Sequence, residues 1–112
     1  MENNLIIRPM TKNDIDGVYE VEENCFVDTW SKDAFNKELK NDLARYLVAE
    51  IDNKIVGYVG IWFVVDEGHI TNVAVHSDYR GRKIGDKLVS ELVELCKKAD
   101  LSAMTLEVRA SN

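Results

Sequence analysis

Four cationic side chains lie within eight residues of an otherwise acidic chain. Arg80, Arg82, Lys83 and Lys87 are accompanied there by a single acid, Asp86, so this stretch carries a net charge of +3. The whole chain carries −6, which leaves −9 for the remainder. Such a concentration of cations suits an anionic ligand. The alternative interpretation is a solvated basic turn.

Two glycines in the same stretch would let the backbone itself hold an anion. Gly81 and Gly85 have no side chain, so main-chain N–H groups there can approach a ligand closely. A helix that starts near Gly85 adds unpaired N–H groups and the positive end of its dipole. These donors suit a phosphate or pyrophosphate better than a lone carboxylate. The stretch matches neither the Walker pattern, which needs Gly-Lys-Ser/Thr, nor the dinucleotide fingerprint, which needs a third glycine.

The second group with chemical potential is the carboxylate of Glu107. It lies in an alternating run, on the strand face opposite Leu106 and Val108. A carboxylate can remove a proton, through a water, from a peptide α-amine, whose pKa is about 7.7–8.0. From the pattern alone, a surface glutamate paired with Arg109 is the favoured alternative.

The elements around these residues form a strand–helix–strand unit. Residues 69–75 are rich in β-formers and end at polar residues, as a buried strand does when it leaves a sheet. Between Ile84 and Cys96, apolar residues recur at three- and four-residue steps, which predicts a helix packed on the sheet. Residues 104–108 form the second strand. A crossover helix requires these two strands to be parallel.

Three further strands are predicted, at residues 5–8, 44–51 and 55–65. Pro9 is expected to end the first of them. A helix capped by Thr11 or Asn13 follows, and Ser31 caps a second helix. The turn at 52–53 makes a hairpin, and the strand at 69–75 extends it to three antiparallel strands. The fold class is therefore α/β (α+β), with helices flanking a mixed sheet.

Length and composition bound the class of protein. The 112 residues predict one domain, residues 1–112, and 46% hydrophobic with 30% charged residues are typical of a soluble globular protein. No apolar run reaches the length of a membrane span, and the N-terminus lacks a signal-peptide pattern, so we expect a cytoplasmic protein. Cys25 and Cys96 lack metal-ligand spacing, which predicts reduced thiols and no metal site. The acidic charge argues against nucleic-acid binding.

The basic stretch resembles a known signature. Arg80-x-x-Lys83-x-Gly85 is similar to the Q/R-x-x-G-x-G/A signature of the GNAT acetyltransferases, with Lys83 at the first signature glycine. Three longer stretches resemble one branch of that family, the bacterial ribosomal-protein-alanine N-acetyltransferases: CFVDTWSKDAFNKEL, ITNVAVHSDYRGRKIGDKLV and TLEVRASN. Thr29 and Ser77 stand where that branch commonly has proline.

The resemblance implies the GNAT acyl-CoA N-acyltransferase fold and an acetyl-CoA-dependent enzyme. Its acceptor would be the N-terminal alanine α-amine of a ribosomal protein, with Glu107 as the general base. Acetyl-CoA would lie on the backbone of the 69–75 strand and on the basic turn, residues 76–85. The cofactor-binding residues implied in this way are Val73, Ala74, Val75, Arg80, Gly81, Arg82, Lys83, Ile84, Gly85, Asp86 and Asn112.

Two other functions stay open. One is a GNAT enzyme that acetylates a lysine side chain or a small metabolite, and the other is a non-catalytic CoA-binding or interaction domain. In the resembling family the sequence continues past the equivalent of Asn112 with a helix, which carries the tyrosine that protonates the departing thiolate, and with two more strands. We therefore expect C-terminal strands to be missing, the 112 residues alone to be poorly active, and a homodimer to form through the exposed sheet edge.

Overall fold

A computed structural model describes residues 4–64, 67–98 and 103–110 of the protein. The strands are β1 (Leu5–Pro9), β2 (Ala44–Ile51), β3 (Lys54–Val64), β4 (Glu67–Val75) and β5 (Ala103–Ala110). The helices are α1 (Ile15–Cys25), α2 (Lys32–Leu39) and α3 (Ile84–Lys98), with single 3-10 turns at Lys12–Asp14 and Ser77–Tyr79. None of the described helices is long and apolar enough to cross a membrane.

The described strands form one mixed sheet in the order β1-β2-β3-β4-β5. The first four strands are antiparallel, and β4 and β5 are parallel. The hairpin between β2 and β3 turns on Asp52 and Asn53, which both have positive φ values of 50° and 68°. Asn and Asp tolerate this left-handed backbone, which matches the twist of the flanking strands. The predicted mixed sheet and its hairpin are confirmed.

The first strand ends at Pro9, as predicted. Pro9 is the last residue of β1 and stands in register with Leu47, and the N–H of Met10 donates to the Tyr46 carbonyl at 2.9 Å. One backbone bond to β2 therefore follows the last strand residue. The prediction that the strand ends at Pro9 is confirmed, and the missing N–H of Pro9 is tolerated because β1 is an edge strand.

The N-termini of α1 and α2 are capped differently. Ser31 accepts a hydrogen bond from the Ala34 N–H at 3.0 Å, so its predicted role as the cap of α2 is confirmed. Thr11 forms a capping box with Asp14, but on the 3-10 turn rather than on α1. Asp14 is the N-cap of α1 and makes no side-chain capping bond. Neither Thr11 nor Asn13 caps α1 itself.

The sheet separates two hydrophobic cores. The first core packs α3, through residues such as Leu88 and Leu92, on Leu47 and other strand residues. The second core packs α1 and α2, through residues such as Val18 and Phe35, on the opposite face. Gly57 allows the close approach of α3, because an added Cβ would lie 3.3 Å from Leu88 Cδ1 and 2.9 Å from the Ala74 carbonyl.

A β-bulge at Thr71 interrupts the regular pairing of β4. In the β3–β4 pair the register passes from Gly60↔Asn72 to Ile61↔Ile70, so Thr71 has no partner there. The β4–β5 register also slips at this point, between Ile70 and Asn72. Bulges of this kind bend a strand and are common beside active sites.

Candidate functional site

The predicted cofactor residues surround one pocket of about 400 Å³ at the end of β4 and the start of α3. Nine of the eleven line it, together with Tyr79, which was not among the predicted residues. The lining residues are Val73, Ala74, Val75, Tyr79, Arg80, Gly81, Lys83, Ile84, Gly85 and Asp86. The structure thus brings the strand and the basic turn into a single concave surface.

The turn into α3 has a left-handed backbone at two positions. Gly81 has φ +82° and Lys83 has φ +61°. Glycine adopts such angles freely, whereas a residue with a Cβ is strained by about 1–2 kcal/mol. The geometry explains why a glycine is usual at the position of Lys83 in the GNAT signature. This chain accepts the strain and gains a cation at the pocket.

The start of α3 supplies hydrogen-bond donors to the pocket. Its first helical bond runs from the Lys87 N–H to the Lys83 carbonyl, at 3.1 Å. In α-helix geometry the N–H groups of Ile84, Gly85 and Asp86 therefore have no partner within the helix. All three residues line the pocket. Converging amides beside a positive dipole end fit a pyrophosphate.

Arg80 lines the pocket and also makes contacts within the protein. Its Nε donates to the Val75 carbonyl at 3.0 Å, and its Nη2 lies 3.4 Å from Cys25 Sγ. The Cys25 thiol donates to the same carbonyl at 3.2 Å. Arg80 therefore fixes the end of β4 against the end of α1, in addition to adding positive charge.

Tyr79 organises the outer part of the basic turn. The guanidinium of Arg82 lies over its ring at 5.0 Å, the ammonium of Lys54 lies 6.0 Å from the ring centre, and the His76 ring meets it edge-on at 6.3 Å. Arg82 consequently stacks on Tyr79 and is not among the residues that line the pocket. In the sequence, only the position of Tyr79 directly before Arg80 could have indicated that its ring lies among the cations of the turn.

The pairing of β4 with the described part of β5 stops before the end of β4. Among the described residues the last pairs between β4 and β5 are Asn72↔Arg109 and Val73↔Ala110. Ala74 and Val75 extend beyond the described end of β5, and both line the pocket. Ala74 stands in register with Tyr58 of β3, and the Val75 carbonyl already accepts from Arg80 and Cys25.

Glu107 lies on β5 at the register slip. Leu106, directly before it, and Arg109, two residues after it, stand in register with Ile70 and Asn72, so the backbone of Glu107 lies beside the bulge at Thr71. Asn112, the remaining predicted cofactor residue, lies outside the described residues.

The C-terminal turn of α1 is attached to the start of the basic turn. The Asn24 side chain accepts from the Ser77 N–H at 2.8 Å and donates to the Ser77 hydroxyl at 3.0 Å. This pair of bonds places the end of α1, and the loop that follows it, beside the pocket.

The sequence matches the model of the acetyltransferase (GNAT) family over residues 15–112. The chain belongs to this family. GNAT enzymes take the acetyl group from acetyl-CoA, so the protein is an acetyl-CoA-dependent N-acetyltransferase. The family and the fold predicted from the sequence are confirmed.

Named relatives narrow the similarity to one branch of the GNAT family. A Bacillus subtilis (strain 168) protein, provisionally named as a ribosomal protein bS18-alanine N-acetyltransferase, is 46% identical over 100% of this chain and 75% of its own length. The ribosomal protein bS18-alanine N-acetyltransferase of Escherichia coli (strain K12) is 29% identical over 95% of this chain and 71% of its own.

Solved structures show the same fold. The crystal structure of the Escherichia coli ribosomal-protein-S18-alanine N-acetyltransferase superimposes with a TM-score of 0.85, at 25% identity, and covers 96% of this chain and 69% of that one. The Thermoplasma acidophilum PaiA N-acetyltransferase, solved with coenzyme A, has a TM-score of 0.79 at 18% identity, over 87% of this chain and 74% of that one.

Proposed function

We propose that the protein acetylates the N-terminal α-amine of a ribosomal protein that begins with alanine. The 46% identity to the Bacillus subtilis relative, over the whole of this chain, is the observation that carries the acceptor. We place the reaction in the cytoplasm and in a single domain, residues 1–112.

The pocket fits acetyl-CoA in two parts. Its pyrophosphate would lie on the amides of residues 84–86, with Lys83 and Arg82 adding positive charge. Its pantetheine arm would run along the backbone of residues 73–75 toward the bulge. Asn112 is proposed as a further cofactor contact.

The protonated acceptor amine loses one proton to the departing thiolate or to solvent as the amide forms, and it must lose another before it can attack. Glu107 would take that proton through a water, and the free nitrogen pair would attack the thioester carbonyl. The new C–N bond forms and the C–S bond breaks, and coenzyme A leaves as a thiolate. Because a thiol has a pKa of about 8.5, this thiolate is a tolerable leaving group near neutral pH.

A thiol-release assay with an alanine-starting peptide tests this function. We expect coenzyme A thiol to be released from acetyl-CoA when the peptide is present. Mass spectrometry should locate the acetyl group on the α-amine. A peptide with a blocked N-terminus and an internal lysine is the matched control. Acetylation of the lysine control and not of the α-amine would favour a lysine acetyltransferase instead.

Replacing the proposed base tests the mechanism. Glu107→Gln should lower kcat by about 10²- to 10⁴-fold, because the neutral amide cannot accept the proton. Coenzyme A affinity should stay within about twofold. A variant with unchanged kcat would remove Glu107 from this role.

The phosphate site is tested by charge removal. The double variant Arg82→Ala, Lys83→Ala should weaken coenzyme A binding and flatten its dependence on salt, since fewer charges remain to be screened. Calorimetry at low and high ionic strength measures both effects. Affinity that is the same as in the wild type at both salt concentrations would place the pyrophosphate elsewhere.

Self-association through β5 is also a proposal. β5 is the last strand in the described sheet order, and an uncovered strand edge can pair with a second copy. Light scattering at high protein concentration tests this, and a monodisperse monomer would contradict it.

A further inference from the structure

Two cationic side chains from separate elements share the ring of Tyr79. Lys54 is the first residue of β3, directly after the 52–53 turn, and Arg82 belongs to the basic turn. The Lys54 ammonium lies 6.0 Å from the ring centre, and the Arg82 guanidinium lies 5.0 Å from it. Both residues are exposed. The fold therefore gathers two positive charges that are distant in sequence at one place on the surface, the cation pair.

Contacts within the protein do not account for this gathering of charge. An exposed cation gains little from a ring, and two like charges repel each other. Lys54 forms no ion pair with any residue that the structure describes. The acids that precede Lys54 and Tyr79 have other partners. Asp52 accepts from Asn4 Nδ2 at 2.8 Å, and the carboxylate of Asp78 lies 3.8 Å from the ring nitrogen Nδ1 of a histidine. The arrangement favours an anion from outside the protein.

Tyr79 connects the cation pair to the pocket. It lines the pocket together with the first residues of α3, Ile84, Gly85 and Asp86. Neither Lys54 nor Arg82 is a lining residue, so the two charges lie outside the pocket, at the ring of Tyr79. A ligand that is seated on the α3 amides can therefore extend past Tyr79 and bring a second anionic group to the cation pair.

Coenzyme A has a second phosphate in a suitable place. With the pantetheine arm on residues 73–75 and the pyrophosphate on the amides of residues 84–86, the adenosine and its 3′-phosphate lie at the far end of the molecule, outside the pocket. A phosphate monoester carries a charge of about −1.5 to −2 near neutral pH. Because the pyrophosphate already uses the α3 amides, this dianion needs cationic side chains, and two cations match its charge.

We propose that Lys54 and Arg82, held by the ring of Tyr79, bind the 3′-phosphate of coenzyme A. Lys54 is then a specificity-determining residue that favours coenzyme A over dephospho-coenzyme A, the same molecule without that phosphate. The inference deepens the proposed function and rests on its placement of acetyl-CoA, not on the acceptor. It assigns no step of the acetyl transfer to Lys54.

The test compares the Kd values of coenzyme A and dephospho-coenzyme A by calorimetry. The wild-type protein should prefer coenzyme A by about three- to thirtyfold, because the dianion meets two exposed cations. Lys54→Gln should lower this preference by about two- to fivefold. Lys54→Glu, which replaces attraction with repulsion, should bring the preference close to one. In both variants the Kd of dephospho-coenzyme A should stay within about twofold, since that ligand lacks the group that Lys54 contacts.

Lys87→Glu is the matched control. Lys87 is another exposed cation of the basic stretch, but it lies on α3 and lines a different groove, with Leu5 and Ile7 of β1. Its reversal changes the net charge as much as Lys54→Glu does, and it should leave the preference within about twofold of the wild-type value. Equal losses of preference in the two variants would mean a general effect of charge and would overturn the role of Lys54. A preference that Lys54→Glu does not change would overturn it as well.

Two substitutions test the ring that holds the cation pair. Tyr79→Phe keeps the ring and should keep the preference, whereas Tyr79→Leu should lower it, because the cations lose their shared support. The same preference in both variants would contradict the part assigned to Tyr79.

The wild-type protein separates this inference from the proposed function. Equal Kd values for coenzyme A and dephospho-coenzyme A would show that the 3′-phosphate is not recognised, and the placement of the pyrophosphate would stand. Binding of neither compound would refute the placement of acetyl-CoA in the pocket, and the inference with it.

Discussion

The two faces of the sheet are built from different chemistry. The face under α3 is a hydrocarbon core in which residues such as Leu88 and Leu92 meet apolar strand residues. The face under α1 and its 3-10 turn also contains buried acids, Asp14 and Glu22, each with defined donors. Apolar packing tolerates swaps of similar volume, whereas hydrogen-bonded acids allow one arrangement. The first face presents the pocket, and the second fixes the loops around it.

The largest expected effect on stability comes from shortening a buried side chain in the apolar core under α3. Leu88 is completely buried in the first core, so Leu88→Ala should lower the free energy of unfolding by about 2–5 kcal/mol. Leu88→Met, which keeps the volume, should cost under about 1.5 kcal/mol. Urea unfolding measures both. Similar losses of stability in the two variants would mean that the core under α3 does not tolerate a side chain of the same volume, and so is no more tolerant than the hydrogen-bonded face.

The hydrogen-bonded face should instead be sensitive to pH. Arg8 donates to both oxygens of Asp14 at 2.8 Å and to Glu50 at 2.9 Å. The bonds from Arg8 lower the pKa of Asp14 below its ordinary value, with a further bond from the Thr11 N–H, against the opposing effect of burial. A lowered pKa stabilises the fold fully above the ordinary value of about 3.9, and this contribution is lost as pH falls through the lower, folded-state pKa.

Removing the arginine tests this assignment. Arg8→Ala should cost about 1–3 kcal/mol at neutral pH, because a buried acid loses its partner. Its stability should then fall less steeply than that of the wild type as the pH drops below about 4. Thermal unfolding from pH 3 to 7 measures the difference. Parallel curves for the two proteins would show that Arg8 does not control the titration of Asp14.

A smaller effect is expected at the start of α2. Ser31→Ala removes the acceptor for the Ala34 N–H and should cost about 1 kcal/mol. Ser90→Ala, at an exposed position within α3, is the matched control and should be neutral or slightly stabilising. If the two serine variants unfold at the same denaturant concentration, the cap contributes nothing.

The smallest expected effect concerns Lys83, where two substitutions distinguish backbone strain from the loss of positive charge. Lys83→Gly relieves a left-handed backbone and should raise the free energy of unfolding by up to about 1 kcal/mol, while weakening coenzyme A binding. Lys83→Ala removes the same charge and keeps the strain, so it should weaken binding without raising stability. Calorimetry and urea unfolding compare them. Equal stability of the two variants would mean that the turn is not strained.

The sequence predicted elements whose signals are local. Ser31 was identifiable as a cap from its type and position, and the basic turn from its charge and glycines. The burial of Glu22 was not predictable, because its donors Tyr58 and Trp30 come from other elements and a glutamate is normally exposed. Tyr79 was missed for a related reason, since its role depends on cations that the fold brings to its ring.

The extra residue at Thr71 reverses the alternation of side chains between the two faces of β4. Ile70 belongs to the first core and Ala74 to the second, although residues four apart in an uninterrupted strand would share a face. Every side chain after the bulge has therefore changed sides. Deleting Thr71 would restore a regular strand and turn the small side chain of Ala74 toward α3, with Val73 and Val75 directed at α1. The pocket thus depends on the number of residues in β4, and a deletion there would exchange its inner and outer surfaces without changing any residue type.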